Sequence, residues 1–176
     1  MLPPRQTLIT HPRLGRHFWP IVESLPAGTG LRIRLEERDR AERLMAIARQ
    51  RGLVVSIERD VALAHALGAD VVHDPATATD LPFSLPVHDE SEAFDARERS
   101  PAFVYVSPIY PTRSHPGAPA LGPDRARALA RRAHAPAIAL GGVEWQMDWG
   151  GGWPFVGWAG IDTFRRRYER EARRRR

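Results

Sequence analysis

The sequence contains no Cys. That excludes disulfides, a thiolate nucleophile and cysteine-ligated zinc or iron–sulfur centres. It also contains no Lys, so all 26 basic residues are Arg and no mechanism that passes through a lysine Schiff base is open to it. Apolar runs are short, such as residues 53–57 and 103–109. These fall far below the roughly 18 residues of a membrane-spanning helix, and no membrane contact is expected. Residues 1–10 lack the basic and apolar regions of a secretory signal, and with the missing Cys this reads as a cytoplasmic protein.

What is present fits one globular domain: 176 residues, 43% hydrophobic and 27% charged, with 14 Gly and 16 Pro. The net charge of +5 points at first to nucleic acid, but it is unevenly spread. Residues 164–176 hold 8 Arg against 2 Glu, whereas elsewhere 18 Arg face 19 acidic residues. The basicity is therefore a tail, and FRRRYEREARRRR reads as a solvated helix end whose arginines complement the helix dipole. No zinc-finger spacing, helix-turn-helix signal or basic stripe interleaved with aromatics accompanies it, so a nucleic-acid partner is not expected. The expected organisation is one domain over residues 1–163 and an Arg-rich C-terminal helix or tail over 164–176.

Short β-rich runs alternate with Ala/Arg/Glu-rich stretches, the pattern of βα units around a parallel sheet. Strands are expected near residues 7–10, 31–35, 53–57, 71–73, 83–87, 103–107, 137–140 and 155–159. Helices are expected over 36–50, 60–67 (ended by Gly68), 90–99, 124–134 (opened by Pro123) and from 162 onward. The connections at 74–82 and 145–154 are too turn-rich for a full helix. Eight such strands predict a compact (β/α)8 TIM barrel with some degenerate crossover helices, shorter than the usual ~250 residues. A doubly wound sheet is disfavoured because no G-x-G-x-x-G follows an early strand.

In such a barrel the active site forms at the C-terminal ends of the strands. The residues there include Thr10, His11, Arg32, Arg34, Glu58, Arg59, His73, Asp74, His88, Asp89, Ser107, residues 112–115, Gly141, Gly142 and Asp162. Arg32 and Arg34 alternate on one strand, so both point into the mouth if Leu31 and Ile33 face the helices. They serve either an anion or an ion pair with an inward carboxylate such as Glu58. Thr112, Arg113, Ser114 and His115 crowd a Pro-rich loop with hydroxyls and cations, a make-up suited to phosphate. Gly141 and Gly142 end a strand, and glycines let backbone N–H groups approach a phosphate; Gly160 falls at the other usual phosphate loop. His88 beside Asp89 is suited to acid–base work or to a structural hydrogen bond. Trp145, Trp149, Trp153 and Trp158 either fill the barrel bottom or cover the shortened seventh crossover, or else form a contact patch for a homo-oligomer.

Four motifs stand in order: GADVVH at 68–73, PVHDESEA at 86–93, FVYVSPIYPT at 103–112 and IALGGV at 138–143. Together they resemble the thiamine-phosphate synthase/TenI superfamily, over about residues 8–162. The resemblance implies a (β/α)8 barrel that joins a pyrimidine diphosphate to a thiazole phosphate, releasing pyrophosphate with Mg²⁺ assistance by alkyl transfer through a pyrimidine carbocation. It implies that Arg32 and Arg34 contact the diphosphate and that Thr112 and Ser114 lie around the thiazole and pyrophosphate. His115 replaces a family Lys, Gly142 matches the phosphate-binding turn, and Gly30 replaces a family Gln.

The sequence departs from the family at the metal. Glu58-Arg59-Asp60 stands where the family has N-D-R, and only His73-Asp74-Pro75 stands near the family's G-Q-x-D. Glu58 and Asp74, at neighbouring strand ends, are the carboxylates available for Mg²⁺. Two other readings stay open: a metal-free thiazole tautomerase with His88 as acid or base, and a non-catalytic barrel that binds phosphorylated ligands.

Overall fold

Eight short runs rich in aliphatic, β-branched and aromatic residues become strands in the computed structural model, in which residues 2–113, 117, 119–145, 147 and 153–174 are described. They are β1 (Gln6–Ile9), β2 (Gly30–Ile33), β3 (Val54–Glu58), β4 (Val71–His73), β5 (Phe83–Val87), β6 (Phe103–Val106), β7 (Ala137–Leu140) and β8 (Phe155–Gly160). Each pairs in parallel with its neighbours in sequence, and β8 closes on β1. This is the expected (β/α)8 barrel.

The helices are α1 (Phe18–Ser24), α2 (Ala41–Arg51), α3 (Val61–Leu67), α4 (Glu90–Arg99), α5 (Pro123–Arg132) and α6 (Asp162–Arg174). Among the described residues the connections at 74–82 and 141–154 carry no helix, which accounts for the compactness. Side-chain caps set where the strand-end loops turn: Asp60 accepts from the Leu63 N–H and Asp89 from the Glu92 N–H, each at 2.9 Å. None of the helices is long and apolar enough to cross a membrane.

Two local expectations are corrected. The helix expected over 36–50 begins as a 3₁₀ segment, Leu35–Arg40, and becomes α-helical only at Ala41. There Glu37 is buried and pairs with Arg40, three residues on, at 2.9 Å, a spacing that a 3₁₀ turn aligns. The sequence reading placed no helix between β1 and β2, yet α1 forms there and buries Phe18, Ile21 and Val22.

Period-2 alternation divides the core. Phe103 and Tyr105 of β6 join Ile9, Val71, Ile138 and Ala159 inside the barrel, whereas Val104 and Val106 pack outward against Ala93, Ala96, Ala126 and Leu129 of α4 and α5. Leu31 and Ile33 pack outward in the same way, which turns Arg32 inward. The last helix runs unbroken across residue 163: Phe164 is 4% exposed and its ring lies 5.0 Å from that of Trp158. Its arginines pair locally, Arg165 with Asp162, Arg166 with Glu144 and Arg167 with Glu171.

Candidate active site

The polar strand ends surround two cavities that share Thr112, Leu140, Gly141 and Ile161 in their walls. The larger, about 500 Å³, is walled by Arg32, Arg34, Glu58, His73, Asp74, His88, Tyr105 and Ser107. The smaller, about 240 Å³, is walled by Gly142, Gly160, Arg13, Arg113, Thr163 and Arg166. Gly141, Gly142 and Gly160 therefore meet in one cup, beside the N-terminus of α6.

The glycine pair is dictated by close approach as well as by φ. Gly141 and Gly142 have φ of +88° and +66°, and a Cβ on Gly142 would lie 2.6 Å from Tyr110 Cβ and 2.8 Å from the Pro111 carbonyl. The loop after β7 thus presses on the loop after β6, which brings Thr112 and Arg113 to the cup.

In the larger cavity Arg32 is only 9% exposed. Its Nη2 donates to Glu58 Oε1 at 2.8 Å, and its guanidinium lies 5.2 Å from the centre of the Tyr105 ring. Its Nε is buried without a hydrogen-bond partner among the described residues. Glu58 also accepts from the Leu35 N–H at 3.2 Å and lies 3.7 Å from Arg34 Nε. Burial, the largest single influence, would raise the pKa of Glu58. The charge and hydrogen bond of Arg32, the Leu35 N–H and Arg34 together hold it below the ordinary value. Asp74, expected with Glu58 as a metal ligand, is instead bound to Arg59 at 2.7 Å. Arg59 and Asp74 both have left-handed backbones, φ +61° and +49°, outside any helix cap. Among the described residues no three His, Cys, Asp or Glu side chains stand close enough to hold a metal ion.

His88 is about half exposed, with Nδ1 2.8 Å from Glu92 Oε2 on the first turn of α4. Asp89, its sequence neighbour, caps that helix. His73 is fully buried: its Nδ1 lies 3.0 Å from Ser84 Oγ and its ring meets Tyr105 edge-on at 5.2 Å. Burial first, then Arg32 and His88, hold its pKa well below the ordinary 6.5.

Of the residues expected at the site, Arg32, Arg34, Glu58, Asp74, His88, Thr112, Gly141, Gly142 and Gly160 line one or both cavities. Ser114 and His115 lie outside the described residues, as does Trp149. Thr10 is buried and accepts from the Arg34 N–H at 3.1 Å. Trp153 and Trp158 pack on Phe155 and Phe164. The sequence reading missed Arg13, Tyr105 and Arg166. Alternation on β6 could have found Tyr105, whereas Arg13 sits on the connection after β1 and Arg166 on α6, whose directions no local pattern gives.

Residues 33–147 match the family model described as thiamine monophosphate synthase. The chain is 33% identical over 125 residues to a thiamine-phosphate synthase of Mycolicibacterium smegmatis, covering 62% of this chain and 53% of that protein. The chain thus spans about half the length of that relative. Among solved structures, a thiamine phosphate pyrophosphorylase from Pyrococcus furiosus superposes with a TM-score of 0.72 at 18% identity, over 95% of this chain and 96% of that one. A native KDPGal structure superposes at 0.60 with 15% identity, over 96% of both chains. These two likenesses concern the fold alone. With its barrel, its ordered motifs and a family match over most of its length, the chain belongs to the thiamine monophosphate synthase/TenI family.

Proposed function

We propose that the barrel is a transferase that couples a hydroxymethylpyrimidine diphosphate to a thiazole phosphate, forming thiamine phosphate and releasing pyrophosphate. The observation that carries this reading is the pair of adjoining cavities, each with its own guanidiniums: Arg32 and Arg34 in one, Arg13, Arg113 and Arg166 in the other. Two anionic substrates that must meet need guanidinium donors in each of two lobes with a common wall, here set against Glu58 and Asp74 in one lobe and Glu144 and Asp162 in the other.

In the step itself, the thiazole nitrogen supplies the electron pair of the new C–N bond to the exocyclic methylene of the pyrimidine. The C–O bond to the diphosphate breaks, and its electron pair leaves on pyrophosphate. Arg32 and Arg34 face the negative charge that develops on the leaving oxygens. Tyr105 beneath them and the neutral His73 give the heterocycle an uncharged floor. Glu58 and Asp74 do not fit Mg²⁺ as arranged, since each is ion-paired to a guanidinium, and no metal step is invoked. Purified protein incubated with both substrates tests the reading. Thiamine phosphate and pyrophosphate are expected in equal amounts, and Arg32→Ala is expected to cut the rate by about 100-fold or more.

A second reading, metal-free tautomerisation of the thiazole phosphate, draws on the His88–Glu92 pair at 2.8 Å. With Nδ1 engaged by the carboxylate, Nε2 is left to exchange a proton with a ligand. Its signature would be deuterium uptake into thiazole phosphate alone, lost in His88→Asn.

A further inference from the structure

We infer that the ends of β2, β3 and β4, where a metal site was expected at Glu58 and Asp74, form an arginine clamp that binds a diphosphate without any divalent cation. This rests on the transferase reading for the identity of the anion, but its chemistry can be tested separately.

A carboxylate that holds Mg²⁺ must turn its oxygens to the ion and keep competing cations away. Here the charges are already spent otherwise. One oxygen of Glu58 takes Arg32 at 2.8 Å, while the other takes the Leu35 N–H and faces Arg34 at 3.7 Å. Asp74 takes Arg59 at 2.7 Å. With Glu36 on Arg34 Nη2 at 2.8 Å, three guanidiniums stand against three carboxylates at the cavity wall and rim. A dication added there would have to displace a guanidinium from each carboxylate it took, whereas a polyanion would find guanidiniums already gathered.

The second observation is Arg32 itself. Its Nε is buried with no partner among the described residues, in a side chain that lines the cavity. An unpaired buried donor costs about 1–3 kcal/mol, a cost carried in a side chain that Glu58 and the face of Tyr105 hold at the cavity wall. Glu58 becomes a positioning residue: it holds both arginines through one carboxylate, while Glu36 takes Arg34 Nη2 at 2.8 Å, and the N–H groups that remain are left for the ligand.

Calorimetric titration with inorganic pyrophosphate tests this, in EDTA and again with excess Mg²⁺. Binding in EDTA is expected, within about threefold of the affinity in Mg²⁺, and Mg²⁺ alone should give no binding. Arg32→Lys and Arg34→Lys keep the charge but lose the planar fork, and each should weaken binding in EDTA by about tenfold or more. Circular dichroism establishes that both variants are folded, and Arg34, the more exposed, serves if Arg32→Lys does not fold. Pyrophosphate binding only with Mg²⁺, saturable Mg²⁺ binding alone, or full affinity in both variants would each overturn the inference. Metal-free pyrophosphate binding without coupling would sink the transferase reading and keep the clamp, whereas coupling strictly dependent on Mg²⁺ would do the reverse.

Discussion

Burying Arg32 to 9% exposure would be costly for a lone charge, and the cost is offset by Glu58 and the face of Tyr105. The same burial acts on His73 with the opposite result, because nothing anionic compensates it. The unfolded imidazole gains a proton below about pH 6.5, while the folded one stays neutral until far lower pH. Stability therefore falls as pH drops below about 6.5, and His11, also lowered mainly by burial, adds to the fall. Melting temperature is expected to be lower at about pH 5.5 than at about pH 7.5. His73→Gln, which keeps a partner for Ser84 without titrating, should show a smaller drop; an equal drop would place the proton elsewhere. Glu58 acts in a lower window, its contribution present above its ordinary value of 4.5 and lost as pH falls through its depressed one. Gly142→Ala makes a further residue-scale prediction. Its Cβ would meet backbone and Tyr110 inside 3 Å at a positive φ, and a loss of about 1–3 kcal/mol is expected. Denaturant melts measure the loss, and weaker thiazole phosphate binding should accompany it.

At the scale of elements, α6 joins stability to the site. Its first turn carries Asp162 and Thr163 on the smaller cavity, and Phe164, one residue on, anchors it against Trp158. Phe164→Ala should cost about 3–5 kcal/mol by thermal or denaturant melt, whereas the exposed Arg173→Ala should stay within about 0.5 kcal/mol. Equal effects would mean that the helix is held by charge rather than by packing. The eight strands were legible because parallel strands buried on both faces read as short apolar runs. The cap at Gly68 was legible because its chemistry is local, whereas Asp89, read beside His88 as part of an acid–base pair, caps α4 instead. The 3₁₀ start of the second crossover was not, since it depends on burial of Glu37. The pairing of Glu58 was foreseeable only as an alternative to an anion on Arg32 and Arg34, because strand alternation aims a side chain without choosing its partner. Arg13 and Arg166 reach the cup through loop and helix directions set by closure of the whole barrel.

As a whole molecule, the barrel lines its mouth with five arginines against four carboxylates, Glu58, Asp74, Glu144 and Asp162, each of them ion-paired. The balance is slightly positive where the two ligands of the proposed reaction would meet. Shortened crossovers leave these residues in place, since they stand on strand ends, on the segments after β1, β6 and β7 and on the first turns of α6. The most direct test mixes the purified protein with pyrimidine diphosphate and thiazole phosphate in EDTA and follows thiamine phosphate and pyrophosphate together. Formation of both in equal amounts, lost in Arg32→Ala, is the expected result. Folded protein that yields neither, in EDTA or in Mg²⁺, would contradict the account.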